Sequence, residues 1–135
     1  MREGGTSLAY LSANFPAVPT FSILRSLVEA GEELKIPVTV GVGTAGDAFY
    51  APRDTRPERD IYKKAGLVFI EMESDTLFIV GAYRGWRTGA IFTSDGTAGA
   101  TKPESCEEDF RRGEQDAIKV AVHAMWKIAQ KDLEK

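Results

Sequence analysis

The predicted fold depends on one continuous apolar run, GLVFI at residues 66–70. A strand that is apolar on both sides is typical of a parallel sheet, because such a sheet is covered on both faces. Two other segments also have strand character, residues 38–42, where β-branched residues alternate, and residues 88–93. The sequence therefore predicts that these segments lie in one sheet.

Helical patterns separate and follow the predicted strands. They are predicted at residues 21–35, 58–64, 74–83 and 107–133. The last helix has an apolar stripe at helical spacing, and we expect its Ile118 and Met125 face to pack on the rest of the fold. The stripe consists of Ile118, Ala121, Val122, Met125 and Ile128 or Ala129. The alternation favours an α/β fold, a three-layer sandwich in which a mostly parallel or mixed sheet is flanked by helices.

The composition is that of an ordinary globular protein. Of 135 residues, 43% are hydrophobic and 27% charged, and we expect residues 1–135 to form a single domain. The net charge of −3 argues against nucleic acid as a partner. A single cysteine, Cys106, and a single histidine, His123, exclude an internal disulfide and a zinc cluster. Neither a secretion signal nor a membrane span is recognisable in the sequence, so we expect a cytoplasmic protein without membrane contact.

Acidic residues follow two of the predicted strands, where ligands of open α/β sheets bind. Glu71 and Glu73 come after the run at 66–70, and Asp95 follows residues 88–93. Glu73 and Asp95 could therefore act together on a ligand. Alternatively, one of the two glutamates caps the next helix and Asp95 starts a turn.

The glycine-rich stretch GVGTAG at residues 41–46 has the letters of a dinucleotide-binding turn. Such a turn must open a helix, and Pro52 argues against a helix here. We therefore expect a loop whose backbone approaches a ligand. Phe49 and Tyr50 would then offer flat faces to an aromatic ring, or they belong to the core.

The remaining reactive side chains favour a surface interpretation. His123 falls on the polar side of its helix, and the acidic neighbours of Cys106 disfavour its thiolate. Arg111 and Arg112 are expected on a solvated helix face, although they could reach an anion.

Three motifs together resemble the carboxy-terminal half of the nucleoside phosphorylase and nucleosidase family, which includes purine nucleoside and uridine phosphorylases. They are FYAP at residues 49–52, IEMES at 70–74 and TSDG at 93–96, in the family's order and spacing. NFPAVPTF at residues 14–21 is similar as well. The resemblance covers nearly the whole chain and implies a truncated phosphorylase-like fold.

The resemblance also implies roles for individual residues. In that family the glutamate that matches Glu73 accepts hydrogen bonds from the ribose hydroxyls, Met72 packs under the sugar, and the aromatic that matches Phe49 stacks on the base. Ile70 belongs to the same substrate-binding motif. The acid that matches Asp95 donates a proton to N7 of the departing purine, so Asp95 is the expected catalytic residue.

The implied reaction is cleavage of an N-glycosidic bond with ribosyl transfer to inorganic phosphate, without a cofactor or metal. Water is the alternative nucleophile, as in a nucleosidase. The pair Ser94 and Asp95 favours purine nucleosides. Uridine is the alternative, although uridine-specific members place a Gln and an Arg after the aromatic pair and this chain has only Arg53 there.

The parts that bind phosphate in the family are not recognisable in this sequence. In the family they belong to an amino-terminal half, with a glycine-rich phosphate loop and arginines. The resemblance therefore implies a homo-oligomer or association with a missing amino-terminal half. A truncated, non-catalytic nucleoside-binding remnant is the remaining interpretation.

Overall fold

The computed structural model describes residues 2–48, 59–96 and 106–134. Within these ranges the elements, in chain order, are β1 (Arg2–Glu3), α1 (Gly5–Tyr10), α2 (Phe21–Leu34), β2 (Val42–Gly46), α3 (Arg59–Lys64), β3 (Leu67–Glu71), α4 (Ser74–Arg84) and α5 (Cys106–Leu133). Strands and helices alternate along the chain, which confirms the predicted α/β class.

The strands form one sheet in the order β1-β2-β3, and both neighbouring pairs are parallel. Ala45 of β2 lies between Arg2 of β1 and Glu71 of β3. Because the strands are parallel, their carboxyl ends meet at one edge of the sheet.

The glycine-rich stretch lies mostly inside β2. The register between β2 and β3 shifts at Val42 and Gly43, and a Cβ atom at Gly43 would collide with the ring of Phe69. Glycine therefore allows the two strands to approach at this irregularity. The prediction of a loop is wrong for residues 43–46, and a dinucleotide-binding turn is excluded because all of that pattern after Gly41 falls within a strand.

The chain divides into two compact units that alternate in sequence. The sheet unit comprises Met1–Val18 and Val40–Thr88, and the helix-pair unit comprises Pro19–Thr39 and Gly89–Lys135. The expectation of a single domain stays a prediction, because each unit is described by itself.

The interior of the sheet unit is largely polar. Ala45 and Ile79 are its buried apolar residues among those described. Its buried polar residues are Ser7, Thr44, Ser74 and Asp75. In this unit α1 packs on α4, α4 contacts β2, and α3 contacts β3.

The interior of the helix-pair unit is apolar and lies between α2 and α5. Its buried cluster consists of Ile23, Leu27, Ala30, Val120, Ala124 and Ile128, with Ile36, Val38 and Ile91 packed against it. The hydroxyl of Ser26 donates a hydrogen bond to the carbonyl of Ala124 at 3.0 Å, so the buried serine is also satisfied.

Two of the predicted strands are misplaced. Residues 38–41 precede β2, and residues 88–93 have no ladder partner within the described part of the chain. Val38 and Ile91 instead pack against the α2–α5 core, and Gly89 lies directly against Ile23. Tertiary packing therefore overrides the β preference of these segments.

The expected packing of Ile118 and Met125 of α5 is also wrong, because they are 58% and 57% exposed. Ile128 of the predicted stripe is buried, and it is buried together with Val120 and Ala124. Both sets repeat at helical spacing, so the sequence pattern alone does not decide which of them packs.

The predicted helices agree with the structure to within a residue or two. At the end of α4, Gly85 adopts a left-handed conformation with φ of 71°, which is typical of a helix C-cap. The strand predicted at residues 66–70 is β3, whereas β1 and α1 were not predicted. Among the described residues, no helix combines the length and apolar character that crossing a membrane requires.

Candidate functional site

The carboxyl edge of the sheet brings together three segments of the sheet unit. Gly4 and Gly5 follow β1, Asp47 follows β2, and Met72 follows β3. The Gly5 amide donates a hydrogen bond to Asp47 Oδ2 at 2.6 Å, so the first two segments are in direct contact.

Glu71 occupies the N-terminus of α4 with its carboxylate. Its Oε2 accepts hydrogen bonds from the amides of Glu73, at 2.8 Å, and Ser74, at 2.7 Å. Its Oε1 accepts a hydrogen bond from Ser74 Oγ at 2.6 Å. The first amides of a helix lack intrahelical acceptors, and Glu71 is the acceptor for two of them. Of the two glutamates, Glu71 is the one that caps the helix.

Glu73 is at the N-cap position of α4 but does not cap the helix with its side chain. The residue is exposed, and the Met72 amide lies 3.3 Å from its Oε2. Met72 and Ile70 are exposed beside it on the same strand end. The predicted substrate-binding residues Ile70, Met72 and Glu73 therefore form one accessible segment.

Asp75 anchors the segment after β1 to the start of α4. It is only 2% exposed, and its Oδ2 accepts hydrogen bonds from the Gly4 amide at 3.1 Å and from Ser7 Oγ at 2.9 Å. A Cβ atom at Gly4 would lie 2.6 Å from the same oxygen. Only glycine lets the chain approach this carboxylate so closely. Nothing in the sequence pattern indicated this contact.

Arg2 orders the chain that follows α1. Its guanidinium donates hydrogen bonds to the carbonyls of Ser7, Leu11, Ser12 and Phe15, at 2.7, 2.8, 2.5 and 2.6 Å. The last carbonyls of a helix lack intrahelical donors, and the cation of Arg2 supplies them.

The other predicted site residues have different outcomes. Asp95 lies in the helix-pair unit, where it is exposed and is the middle residue of the Ser94–Gly96 turn. In this turn Ser94 Oγ donates a hydrogen bond to the Gly96 carbonyl at 2.9 Å. Phe49 lies outside the described residues. Because Asp95 and Glu73 belong to different units, their meeting in one pocket stays a prediction.

The residues given a surface interpretation have surface partners. His123 Nε2 lies 2.7 Å from Glu33 Oε2. Arg111 pairs with Glu107 at 2.6 Å, and Arg112 with Asp109 at 2.7 Å, all exposed. These pairs agree with a solvated helix face.

Charges also link α2 to α5 at the surface of the helix-pair unit. Lys127 hydrogen-bonds to Glu33 and lies 3.4 Å from Glu29. The hydrogen bond from Lys127 lowers the pKa of Glu33, and the one from Arg25 lowers the pKa of Glu29. The hydrogen bond to Glu33 raises the pKa of Lys127. Among the side chains that the structure describes, no three acidic, histidine or cysteine residues are grouped to hold a metal ion.

Comparison with known proteins gives the family. The family model of the phosphorylase superfamily matches residues 1–127. A guanosine phosphorylase of Halorubrum lacusprofundi is 35% identical over 130 residues, which cover 92% of this chain and 53% of the relative. A uridine phosphorylase of Treponema pallidum is 30% identical over 141 residues, covering 98% of this chain and 54% of the relative. The chain therefore belongs to the phosphorylase superfamily.

The fold is also that of a solved phosphorylase. The purine nucleoside phosphorylase of Toxoplasma gondii in complex with immucillin-H superposes with a TM-score of 0.79 at 24% identity, over 96% of this chain and 53% of that chain. This likeness confirms the phosphorylase-like α/β fold. The chain spans about half the length of the curated relatives that it matches.

Proposed function

We propose that this chain carries the nucleoside-binding side of a nucleoside phosphorylase, which cleaves an N-glycosidic bond and transfers the ribosyl group to phosphate. One observation carries the proposal: in the family motif at residues 70–74, Glu71 accepts hydrogen bonds from the amides of Glu73 and Ser74, and Glu73 itself is exposed at the carboxyl edge of the sheet. Exposed acceptors at this edge are what a ribose with two adjacent hydroxyls requires.

In the proposed reaction, the bond between C1′ of ribose and the base nitrogen breaks as a phosphate oxygen forms a bond to C1′. Positive charge develops on the sugar and negative charge on the base. Glu73 accepts hydrogen bonds from the ribose hydroxyls, Met72 and Ile70 pack by the sugar, and Phe49 stacks on the base. Asp95 donates a proton to N7 of the departing purine, and general acid catalysis of this kind contributes about 10² to 10⁴ fold.

Purine nucleosides are the proposed substrates because Ser94 and Asp95 match the purine-type motif. The guanosine phosphorylase relative supports this choice. Uridine is the second candidate, because a uridine phosphorylase is 30% identical over nearly the whole chain. Inorganic phosphate is the proposed co-substrate, and no other cofactor enters the proposal.

We further propose that the site is completed by another copy of this chain or by the half of the phosphorylase that this sequence does not cover. The chain's coverage of about half of its relatives supports this partner. The chain on its own is then a poor phosphorylase, because positioning of the nucleophile contributes roughly 7 to 11 kcal/mol in favourable cases. Cytoplasmic localisation belongs to the same proposal, and fractionation of cells that express the natural gene tests it.

The test measures cleavage of inosine, adenosine and uridine, with and without phosphate, and the mass of the chain in solution. In the active assembly, Asp95→Asn should lower purine turnover by about 10² fold. Glu107→Gln, at an exposed surface pair, is the matched control and should leave turnover unchanged. Undiminished turnover in Asp95→Asn would remove Asp95 from the mechanism.

Two other outcomes separate the alternatives. Nucleoside binding without turnover in any assembly would identify a non-catalytic remnant. Rapid phosphate-dependent cleavage by a monomer of this chain would contradict the proposed partner.

A further inference from the structure

Two glutamates flank Met72, and the structure gives them different environments. Glu71 accepts hydrogen bonds from two amides and one hydroxyl, all within 2.6 to 2.8 Å. Glu73 is exposed, and a single local contact to the Met72 amide, at 3.3 Å, is described for its carboxylate. They differ in their contacts with the start of α4, where Glu71 is the acceptor for the amides of Glu73 and Ser74.

The hydrogen bonds of Glu71 act directly on the backbone of Glu73. The Glu73 amide is one of the donors, and the next amide, that of Ser74, is the other. The residue that presents the proposed ribose acceptor is therefore held on both sides of its Cα atom. Hydrogen bonds to an ionised carboxylate are stronger than neutral ones, so this restraint is firm.

Glu71 also restrains the backbone from which the Glu73 side chain could turn toward the helix. Glu73 is at the N-cap position, from which an acidic side chain can accept hydrogen bonds from the second and third helical amides. If Glu71 were absent, the amides of Glu73 and Ser74 would lose this acceptor, and the Glu73 backbone would be free to adopt the conformation in which its own carboxylate caps α4. Capping by Glu73 would withdraw it from a ligand.

We infer that Glu71 is a positioning residue for sugar recognition: by capping α4 it keeps the Glu73 carboxylate directed to the ribose hydroxyls. The inference rests on the proposed function. Glu71 then affects, through Glu73, how strongly the site prefers ribonucleosides to 2′-deoxyribonucleosides.

A double-mutant cycle on the full chain tests this role. Dissociation constants for inosine and 2′-deoxyinosine are measured by NMR titration for the native chain, Glu71→Ala, Glu73→Gln and the double variant. We expect Glu71→Ala to weaken inosine binding by about tenfold, the equivalent of one strong hydrogen bond, and to affect 2′-deoxyinosine less. In the double variant, inosine should bind no more weakly than in Glu73→Gln alone, because Glu71 acts through that residue.

Conservative variants separate positioning from folding. Glu71→Gln keeps one oxygen acceptor for the amides and should recover part of the inosine affinity. Ser74→Ala removes only the hydroxyl that donates to Glu71 and should have the smallest effect. Circular dichroism at each titration temperature establishes that each variant is folded, and a variant that is unfolded is measured at a lower temperature.

Each outcome distinguishes the two proposals. Additive losses in the double variant, or equal losses for both nucleosides, would overturn the positioning role alone. Inosine binding that is undetectable, or unaffected by Glu73→Gln, would overturn the proposed function and the positioning role with it.

Discussion

The sheet unit and the helix-pair unit differ in what fills their interiors. The helix-pair unit buries a cluster of apolar side chains between α2 and α5. The sheet unit buries four polar side chains, Ser7, Thr44, Ser74 and Asp75, and beside them only Ala45 and Ile79 among its described apolar residues. The interior of the helix-pair unit is held by the hydrophobic effect, which has no preferred direction. The interior of the sheet unit depends on hydrogen bonds, which require a defined geometry.

This difference has a functional meaning for the candidate site. Apolar packing tolerates small shifts of side chains, whereas a buried hydrogen bond fixes the positions of both partners. The hydrogen bonds of Asp75 and Glu71 lie at the carboxyl edge of the sheet, next to the proposed ribose acceptor. We infer that the sheet unit buries few apolar side chains because polar side chains fix the positions of the residues at the carboxyl edge of the sheet.

The largest expected effect tests the apolar interior. Ile128→Ala should lower the free energy of unfolding by about 2 to 5 kcal/mol, because Ile128 is 6% exposed and its removal leaves a cavity. Ile118→Ala on the same helix is the control and should change it by less than about 0.5 kcal/mol, since Ile118 is 58% exposed. Urea denaturation measures both. Equal losses would show that both apolar stripes of α5 are packed.

The next effect tests the polar interior. Asp75→Ala should cost about 1 to 3 kcal/mol, because the Gly4 amide and the Ser7 hydroxyl lose a buried acceptor. Hydrogen exchange should show the Gly4 amide to be the site of the largest change. Asp109→Ala, at an exposed ion pair, should cost less than about 0.5 kcal/mol. If Asp75→Ala left the free energy of unfolding unchanged, apolar burial alone would support the sheet unit.

A smaller effect compares one buried hydroxyl from each unit. Thr44 Oγ1 is buried without a hydrogen-bond partner among the described atoms, whereas Ser26 Oγ donates to Ala124. Thr44→Val should therefore leave stability unchanged or raise it by up to about 1 kcal/mol, and Ser26→Ala should lower it by about 0.5 to 1.5 kcal/mol. Thermal unfolding of both variants gives the comparison, which a destabilised Thr44→Val would contradict.

The smallest effect concerns pH. The pKa of Glu33 is lowered by its hydrogen bond to Lys127 from an ordinary value of 4.5, so its contribution to stability is present above that pH and is lost as the pH falls through the lower folded value. The pKa of Lys127 is raised from 10.5, so its contribution is lost only as the pH rises beyond that value. Lys127→Met should therefore reduce the loss of stability as the pH falls below 4.5, which flattens the acid limb of a plot of the free energy of unfolding against pH.

Lys119→Met on the same helix is the control for the pH experiment, because Lys119 pairs with Asp116 and not with Glu33. The effect of Lys127→Met should shrink in high salt, since the Glu33 carboxylate with which Lys127 pairs is exposed. An acid limb that is identical in Lys127→Met and in the native chain would show that the pair contributes nothing.

The helices and β3 could be predicted because their signals are local. Periodic apolar residues define α2 and α4, and the continuous apolar run at residues 66–70 defines β3. β2 was misplaced because residues 38–42 have the stronger β preference, whereas the observed strand accommodates Phe69 at Gly43. That close approach depends on a neighbouring strand, which local preference does not contain.

β1 and α1 could not be predicted because long-range contacts hold them. β1 has two residues, and Gly4 and Asp75, which are in contact, are 71 residues apart in the sequence. At the site, the motif located both Glu71 and Glu73, but only the structure shows which of them binds the first amides of α4. The meeting of Glu73 with Asp95, and the place of Phe49, stay predictions.

The alternation of the two units along the chain has a consequence for folding kinetics. Pairing of Glu3 with Gly46 closes a loop that contains all of α2, and packing of α2 on α5 closes a second loop that contains β2 and β3. Long loops slow folding, because their closure entropy must be overcome before the contacts form, although each doubling in length adds only about 0.6 kcal/mol. Once one loop has closed, the other has less chain entropy left to lose. The two units are therefore expected to fold cooperatively, and neither corresponds to a contiguous fragment that could fold first during synthesis.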